Sequence, residues 1–208
     1  MTGLLFDVDG VLLDSTAAYI RVWRRWADVR GLDPELVVSL THGRRAIDTV
    51  REVAPHIDYV DERTLFKGLF EVELPNITSM PGAAELLARL PAGGWGCVTS
   101  AGRNWVAARF DDAGLPLPGA LVTAEDVDRG KPDPACYLLG AQRLDRPPAD
   151  CWVVEDAAAG IQAGHAAGMQ VVGLATTHSR DEIADADYVF DSLAEATPFL
   201  LTRAGALT

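Results

Sequence analysis

At 208 residues, with 49% apolar and 23% charged side chains, the chain can bury one core, or one core plus a small accessory unit. Its net charge of −12, with no run of Lys or Arg, excludes a nucleic-acid-binding face, and no apolar run approaches the roughly 20 residues that span a bilayer. The same acidity would repel a phosphorylated small molecule unless a cation stood between the two.

The chain opens Met1-Thr2-Gly3 without a basic stretch or a small-residue cleavage site, so a cytoplasmic chain is expected; a monomer or weak homodimer is the expected state. Gly3 to Asp9 (GLLFDVD) reads as a short buried strand that stops at two carboxylates and Gly10. From Thr16 to Ser79 three helical stretches are expected, Thr16–Arg30, Arg44–Ala54 and Asp61–Leu74, interrupted by Gly31 and Pro34, by Pro55 and by Pro75. No strand is expected there. Trp23 and Trp26, three apart on the first helix, read as packing residues.

After Met80-Pro81-Gly82 the rhythm alternates. Helices Ala83–Leu90, Trp105–Ala113, Pro134–Leu144 and Gly160–Ala167 lead to strands Trp95–Thr99, Ala120–Thr123, Cys151–Glu155 and Gln170–Leu174, with Trp95–Thr99 following the first of these helices. Strand Tyr188–Phe190 and helix Leu193–Leu201 close the chain. Alternation of this kind predicts an α/β fold: a Rossmann-like, doubly wound parallel sheet with helices on both faces. The expected organisation is a core of residues 1–15 and 80–208 with a small all-helical cap, 16–79, inserted after the first strand. Cys97, Cys136 and Cys151 have no ligand spacing and read as buried free thiols.

In such sheets ligands bind outside the carboxyl ends of the strands. Asp7 and Asp9 stand at the first strand end, Thr99 and Ser100 at the second, Lys131 beyond the third, and Glu155 and Asp156 at the fourth. Taken singly, each has an ordinary reading as a turn acid, a helix cap or a surface lysine. Together they put polar groups on one edge.

The motifs FDVDGVLLDS, VTSAGR, GKPDP and VVEDAAAGIQAG resemble the haloacid dehalogenase superfamily, and TAEDVDRGKPDPACYLLGA with VVGLATTH is similar to its sugar- and polyol-phosphate phosphatases. That resemblance implies Mg²⁺, a small phosphorylated metabolite as substrate, and hydrolysis through an aspartyl-phosphate. Carried onto this sequence, Asp7 is the nucleophile and Asp9 the acid and base. Thr99 and Lys131 hold the phosphoryl group, Thr99 being favoured over Ser100 for the main hydroxyl contact, with help from amides near Ser100 and Ala101. Asp7, Asp156, Glu155 and the Asp9 carbonyl surround the metal. The insert matches a family cap, whose loop Thr41-His42-Gly43-Arg44-Arg45 would read the substrate through His42, Gly43 and Arg44. Two alternatives stand beside the phosphatase: a phosphosugar mutase, which would use cap cations for a second phosphate, and a non-catalytic phosphate-binding module.

Overall fold

β1 (Gly3–Phe6) is buried along its whole length because it lies inside a six-stranded parallel sheet. The other strands are β4 (Trp95–Val98), β5 (Ala120–Val122), β6 (Cys151–Glu155), β7 (Gln170–Leu174) and β8 (Tyr188–Phe190), in the order β5-β4-β1-β6-β7-β8. Phe6 is paired with Cys97 on one side and Val154 on the other, so β1, β4 and β6 end level with one another. This computed structural model describes residues 2–41 and 43–206.

Side chains alternate across a strand, and the two faces of β1 are covered by different helices. Leu4 and Phe6 join the cluster completed by α5 (Ala83–Arg89), α6 (Arg103–Asp112) and α9 (Leu193–Ala204). Leu5 joins the opposite cluster, closed by α7 (Ala135–Arg143) and α8 (Ala158–Ala166). The expected doubly wound sheet is therefore present. Cys97, Cys136 and Cys151 are buried and free, and no described helix is long and apolar enough to cross a membrane.

Between β1 and α5 the chain forms α1 (Thr16–Arg30), α2 (Pro34–Ser39), α3 (Ala46–Val53) and α4 (Tyr59–Glu73) around a separate apolar cluster. Trp26 stacks on Phe66 with ring centroids 5.5 Å apart, and Trp23 meets Phe66 edge-on at 4.8 Å. Both tryptophans are packing residues, as their spacing suggested. Buried Glu62 accepts bonds from Trp26 Nε1 (2.7 Å) and from Arg30 Nε (2.9 Å) and Nη2 (2.7 Å), which ties α1 to α4.

Two local expectations fail here. Pro34 was expected to interrupt a helix; instead it opens α2, because Asp33 caps the amides of Glu35 and Leu36 and a proline at the first turn gives up no intrahelical bond. A strand was not expected before Ser79. Yet β2 (Leu13–Asp14) and β3 (Thr78–Ser79) pair antiparallel where the two connections into the helical layer run side by side. Two residues are too few to carry a period, so only proximity could reveal them.

Phe66 holds both tryptophans, and its removal leaves a hole that rigid aromatic neighbours fill poorly. Phe66→Ala is expected to cost about 3–5 kcal/mol, read as a lower urea midpoint at an unchanged slope.

Candidate active site

Lys131 sits at the centre of the sheet's carboxyl edge, and its side chain is 3% exposed. Its Nζ donates to Asp7 Oδ1 at 2.6 Å, to Glu155 Oε1 at 2.6 Å and to the Val98 carbonyl at 3.3 Å. Burial works against the ammonium charge, but Asp7 and Glu155 outweigh it and hold the pKa well above the ordinary lysine value. Glu155 is itself fixed on all sides. Oε1 also accepts the Tyr137 hydroxyl at 2.8 Å, and Oε2 accepts the amides of Asp156 (3.0 Å) and Ala157 (3.2 Å).

Asp7 follows β1 and is nearly buried, with its own amide bonded to the Val154 carbonyl at 2.9 Å. Burial lifts its carboxyl to about 7; Lys131 pulls it down, while Glu155 and Asp9 push it up again. Asp156 is likewise raised, by burial first and then by Glu155 and Asp7, against a short hydrogen bond from the Thr177 hydroxyl. Gly10 keeps this region tight. Its φ of 79° suits only glycine, and a side-chain carbon there would overlap the Asp156 carboxylate.

One oxygen each of Asp7, Glu155 and Asp156 lie within 4.8 Å of one another. Three crowded carboxylates, two of them pushed toward protonation, form a hard-oxygen set that a divalent cation such as Mg²⁺ would relieve. The donor set fits the ion.

Asp9 stands apart from this group, with its side chain 28% exposed. Its Oδ1 accepts the Ser15 hydroxyl at 2.6 Å and Nη1 of Arg109, a fully buried arginine on α6. Burial opposes the charge on Arg109, yet Asp9 and Tyr19 more than offset it and raise its pKa.

At the end of β4 the two hydroxyls part company. Thr99 is buried and its Oγ1 accepts the Ala101 amide at 3.1 Å, so neither that hydroxyl nor that amide is turned outward. Ser100 lines a cavity of about 690 Å³ between the sheet edge and the helical layer, and Thr99 does not. The geometry thus does not support the expectation that favoured Thr99 for the main contact, since Ser100 is the strand-end hydroxyl that lines the cavity. Ala101 also lines the cavity, with its amide engaged by Thr99.

The roof comes from the loop between α2 and α3. Ser100 Oγ donates to the Gly43 carbonyl at 3.0 Å. Arg45 is clamped by Asp48 (2.7 and 3.0 Å) and reaches the Val127 carbonyl at 2.9 Å. Arg44 also lines the cavity, but its Nη2 pairs with Glu52 at 2.6 Å. His42, expected to read substrate, lies outside the described residues. The remaining wall mixes aromatic rings, Tyr19, Tyr59, Phe70 and Trp105, with charged side chains, Arg63, Lys67, Glu71 and Glu125.

A buried carboxylate against a lysine, a second acid two residues on and a hard-oxygen cluster at the floor of an open cavity are hydrolase parts. The family model for haloacid dehalogenase-like hydrolases matches residues 1–168. The chain belongs to that family.

Among curated relatives, this haloacid dehalogenase-like hydrolase is 42% identical over 200 residues to hexitol phosphatase A of Escherichia coli, covering 94% of this chain and 93% of that one. It is 37% identical over 193 residues to glycerol-1-phosphate phosphohydrolase 2 of Saccharomyces cerevisiae, covering 85% and 76%. The solved β-phosphoglucomutase of Clostridium difficile superposes with a TM-score of 0.83, covering 99% of this chain and 97% of that one, at 21% identity, a likeness of fold. With named phosphatases at this similarity, the chain is a phosphoric monoester hydrolase.

Ser15, Arg109, Tyr137 and Thr177 were missed as site residues by sequence reasoning. Each sits in a helix or loop pattern that reads as ordinary, and each reaches an acid only through the fold. Ser15, Tyr137 and Thr177 nonetheless stand inside the motifs FDVDGVLLDS, GKPDPACYLLGA and VVGLATTH, whereas Arg109 stands in none of them.

The raised carboxyls fix a pH dependence. A carboxyl whose folded pKa exceeds its unfolded value near 3.8 contributes stability below that value and loses it as pH rises through the folded pKa, about 7 for Asp7. Cation-free protein should therefore lose stability between about pH 4 and the upper end of that window. Mg²⁺ at about 100 times its Kd should restore about 2.7 kcal/mol, with a thermal-midpoint gain that grows with pH. A gain that is flat or absent across pH 5–8 would contradict the cation site.

Proposed function

We propose that this chain is a magnesium-dependent phosphatase of small phosphorylated sugars or polyols that works through a phospho-aspartate on Asp7. The observation that carries the reading is Asp7 held at 2.6 Å by buried Lys131, beside the carboxylate cluster and under the cavity that Ser100 lines. The substrate class follows the named relatives, phosphatases of a hexitol and of glycerol 1-phosphate.

In the first half-reaction an Asp7 oxygen bonds to phosphorus as the bond to the ester oxygen breaks. Asp9 gives its proton to the departing alkoxide. In the second, Asp9 takes a proton from water, the water oxygen bonds to phosphorus, and the bond to Asp7 breaks, releasing inorganic phosphate. Lys131 and the Ser100 hydroxyl stabilise charge on the transferring oxygens; phosphate would replace the Gly43 carbonyl as partner of Ser100. Mg²⁺ would be held by Asp7, Asp156 and the Asp9 carbonyl, beside Glu155, and supplies positive charge against the phosphate. Glu155, whose acceptor positions are already matched, serves chiefly to fix Lys131. The helical layer acts as the cap that excludes bulk water.

The direct test is a pair of substitutions at the two acids. Asp7→Asn should abolish turnover with the fold intact, because the isosteric amide is scarcely nucleophilic. Asp9→Asn should take phosphate from p-nitrophenyl phosphate, which leaves without a proton, and then stall with the phosphate trapped on Asp7 by mass spectrometry. An Asp7→Asn variant with substantial activity would end the nucleophile assignment. Hexose 1-phosphate followed by phosphorus NMR should give free phosphate; accumulation of the 6-phosphate would promote the mutase.

A second measurement separates the strand-end hydroxyls. Ser100→Ala should lower kcat/KM about tenfold to a hundredfold, the worth of one hydrogen bond to a charged group at about 1.5–3 kcal/mol. Thr99→Val should act mainly on stability, since it frees the Ala101 amide inside the protein. The reverse pattern would return the contact to Thr99.

A further inference from the structure

Arg109 is an odd residue for its place. Its neighbours on α6, Val106 and Phe110, belong to the apolar cluster beneath the sheet, and Arg109 is buried as completely as they are. A guanidinium is always charged, carries five N–H donors and accepts nothing. Here Nη1 meets Asp9, while the buried Nε and Nη2 have no hydrogen-bond partner. The rings of Tyr19 and Trp105 lie at 5.7 Å from the guanidinium carbon and give only partial compensation.

A structural ion pair explains this poorly. Well-packed apolar residues often match or exceed a buried pair in stability, and each unmatched donor adds a desolvation cost. The carboxylate that offsets the buried charge is, moreover, the side chain read above as the acid and base. Asp9 lines the cavity, and its Oδ1 is taken by Arg109 and Ser15. Among the described residues, Oδ2 has no hydrogen-bond partner.

We propose that Arg109 is a positioning residue for Asp9: its buried guanidinium holds Oδ1 against the core, so that Oδ2 is the oxygen that gives its proton to the leaving alkoxide and takes one from water. Arg109 touches no substrate and acts only through Asp9. A free aspartate at the rim of an open cavity would sample several rotamers, and proton transfer demands hydrogen-bond reach. Trp105 and Tyr19, which cover the guanidinium, also line the cavity, so the clamp lies directly behind the wall that faces substrate.

This inference rests on the acid–base reading of Asp9, so Asp9→Asn is measured alongside. Arg109→Met removes the donor at similar volume, and Arg109→Gln leaves a shorter one. Each is assayed with Mg²⁺ on p-nitrophenyl phosphate and on sorbitol 6-phosphate, with thermal midpoint, KM, pre-steady-state burst and phospho-Asp7 level recorded. General acid–base catalysis is worth about 10²–10⁴-fold, and loosening Asp9 should forfeit about tenfold to a hundredfold of kcat. KM should change less than about threefold. With p-nitrophenyl phosphate a burst of about one nitrophenolate per site should precede slow turnover, with phosphate accumulating on Asp7, while sorbitol 6-phosphate should show no burst. The thermal midpoint of Arg109→Met should change little, because Asp9 keeps the Ser15 hydroxyl and a share of solvent.

A fallen midpoint with kcat within twofold of wild type would overturn the inference, as would equal losses on both substrates without a burst. Should one variant fail to fold, the other is read by the same burst and substrate ratio; failure of both would make Arg109 structural and also overturn it. If Asp9→Asn leaves turnover untouched, the acid–base reading itself falls. If Asp9→Asn stalls and the Arg109 variants do not, only the role of Arg109 falls.

Discussion

The ammonium of Lys131 is buried, and a buried charge survives only where opposite charge and hydrogen bonds replace water. Asp7 arrives from the end of β1 and Glu155 from the end of β6, each at 2.6 Å from Nζ. Both contacts require β1 and β6 to end level and the GKPDP loop to fold back over them. Tyr137 on α7 and the first amides beyond β6 then hold Glu155 in turn. Loss of one partner would leave an uncompensated charge, which costs far more than the pair contributes. The sheet's register and the chemistry of its edge are thus one constraint.

That edge is charged, and the cavity above it sets aromatic rings, Tyr19, Tyr59, Phe70 and Trp105, beside charged side chains, Arg63, Lys67, Glu71 and Glu125. Ser100 and Arg45 make two of the hydrogen bonds between the layers, one to the Gly43 carbonyl and the other to the Val127 carbonyl. Closure of the roof therefore uses the one strand-end hydroxyl that lines the cavity.

Asp7 and Asp9 are two residues apart and live in different surroundings. Asp7 has buried Lys131 and the acidic cluster; Asp9 has Ser15, Arg109 and a share of solvent. Two identical side chains thus stand in different electrostatic environments within one site. The arginine that helps make the difference comes from a helix 100 residues away in the chain.

The sequence by itself determined the parallel sheet, the helical insert and the edge at which acids, lysine and hydroxyls gather. Those follow from local period and from the rule that strand ends in such sheets are where ligands sit. It also carried the motif order that resembles the family to which the chain belongs. Tertiary structure alone decided which of two adjacent hydroxyls faces the cavity, because that depends on where the strand stops and the next residue turns. It decided that Pro34 begins a helix, through the cap that Asp33 supplies, and that two isolated dipeptides pair as β2 and β3. It decided the partners as well. Arg109 reads as a polar residue on an ordinary helix, Tyr137 as an aromatic on a core face and Thr177 as a loop hydroxyl. A hydrogen bond between residues far apart in the chain leaves no period in either segment, so only the fold brings Arg109, Tyr137 and Thr177 to Asp9, Glu155 and Asp156.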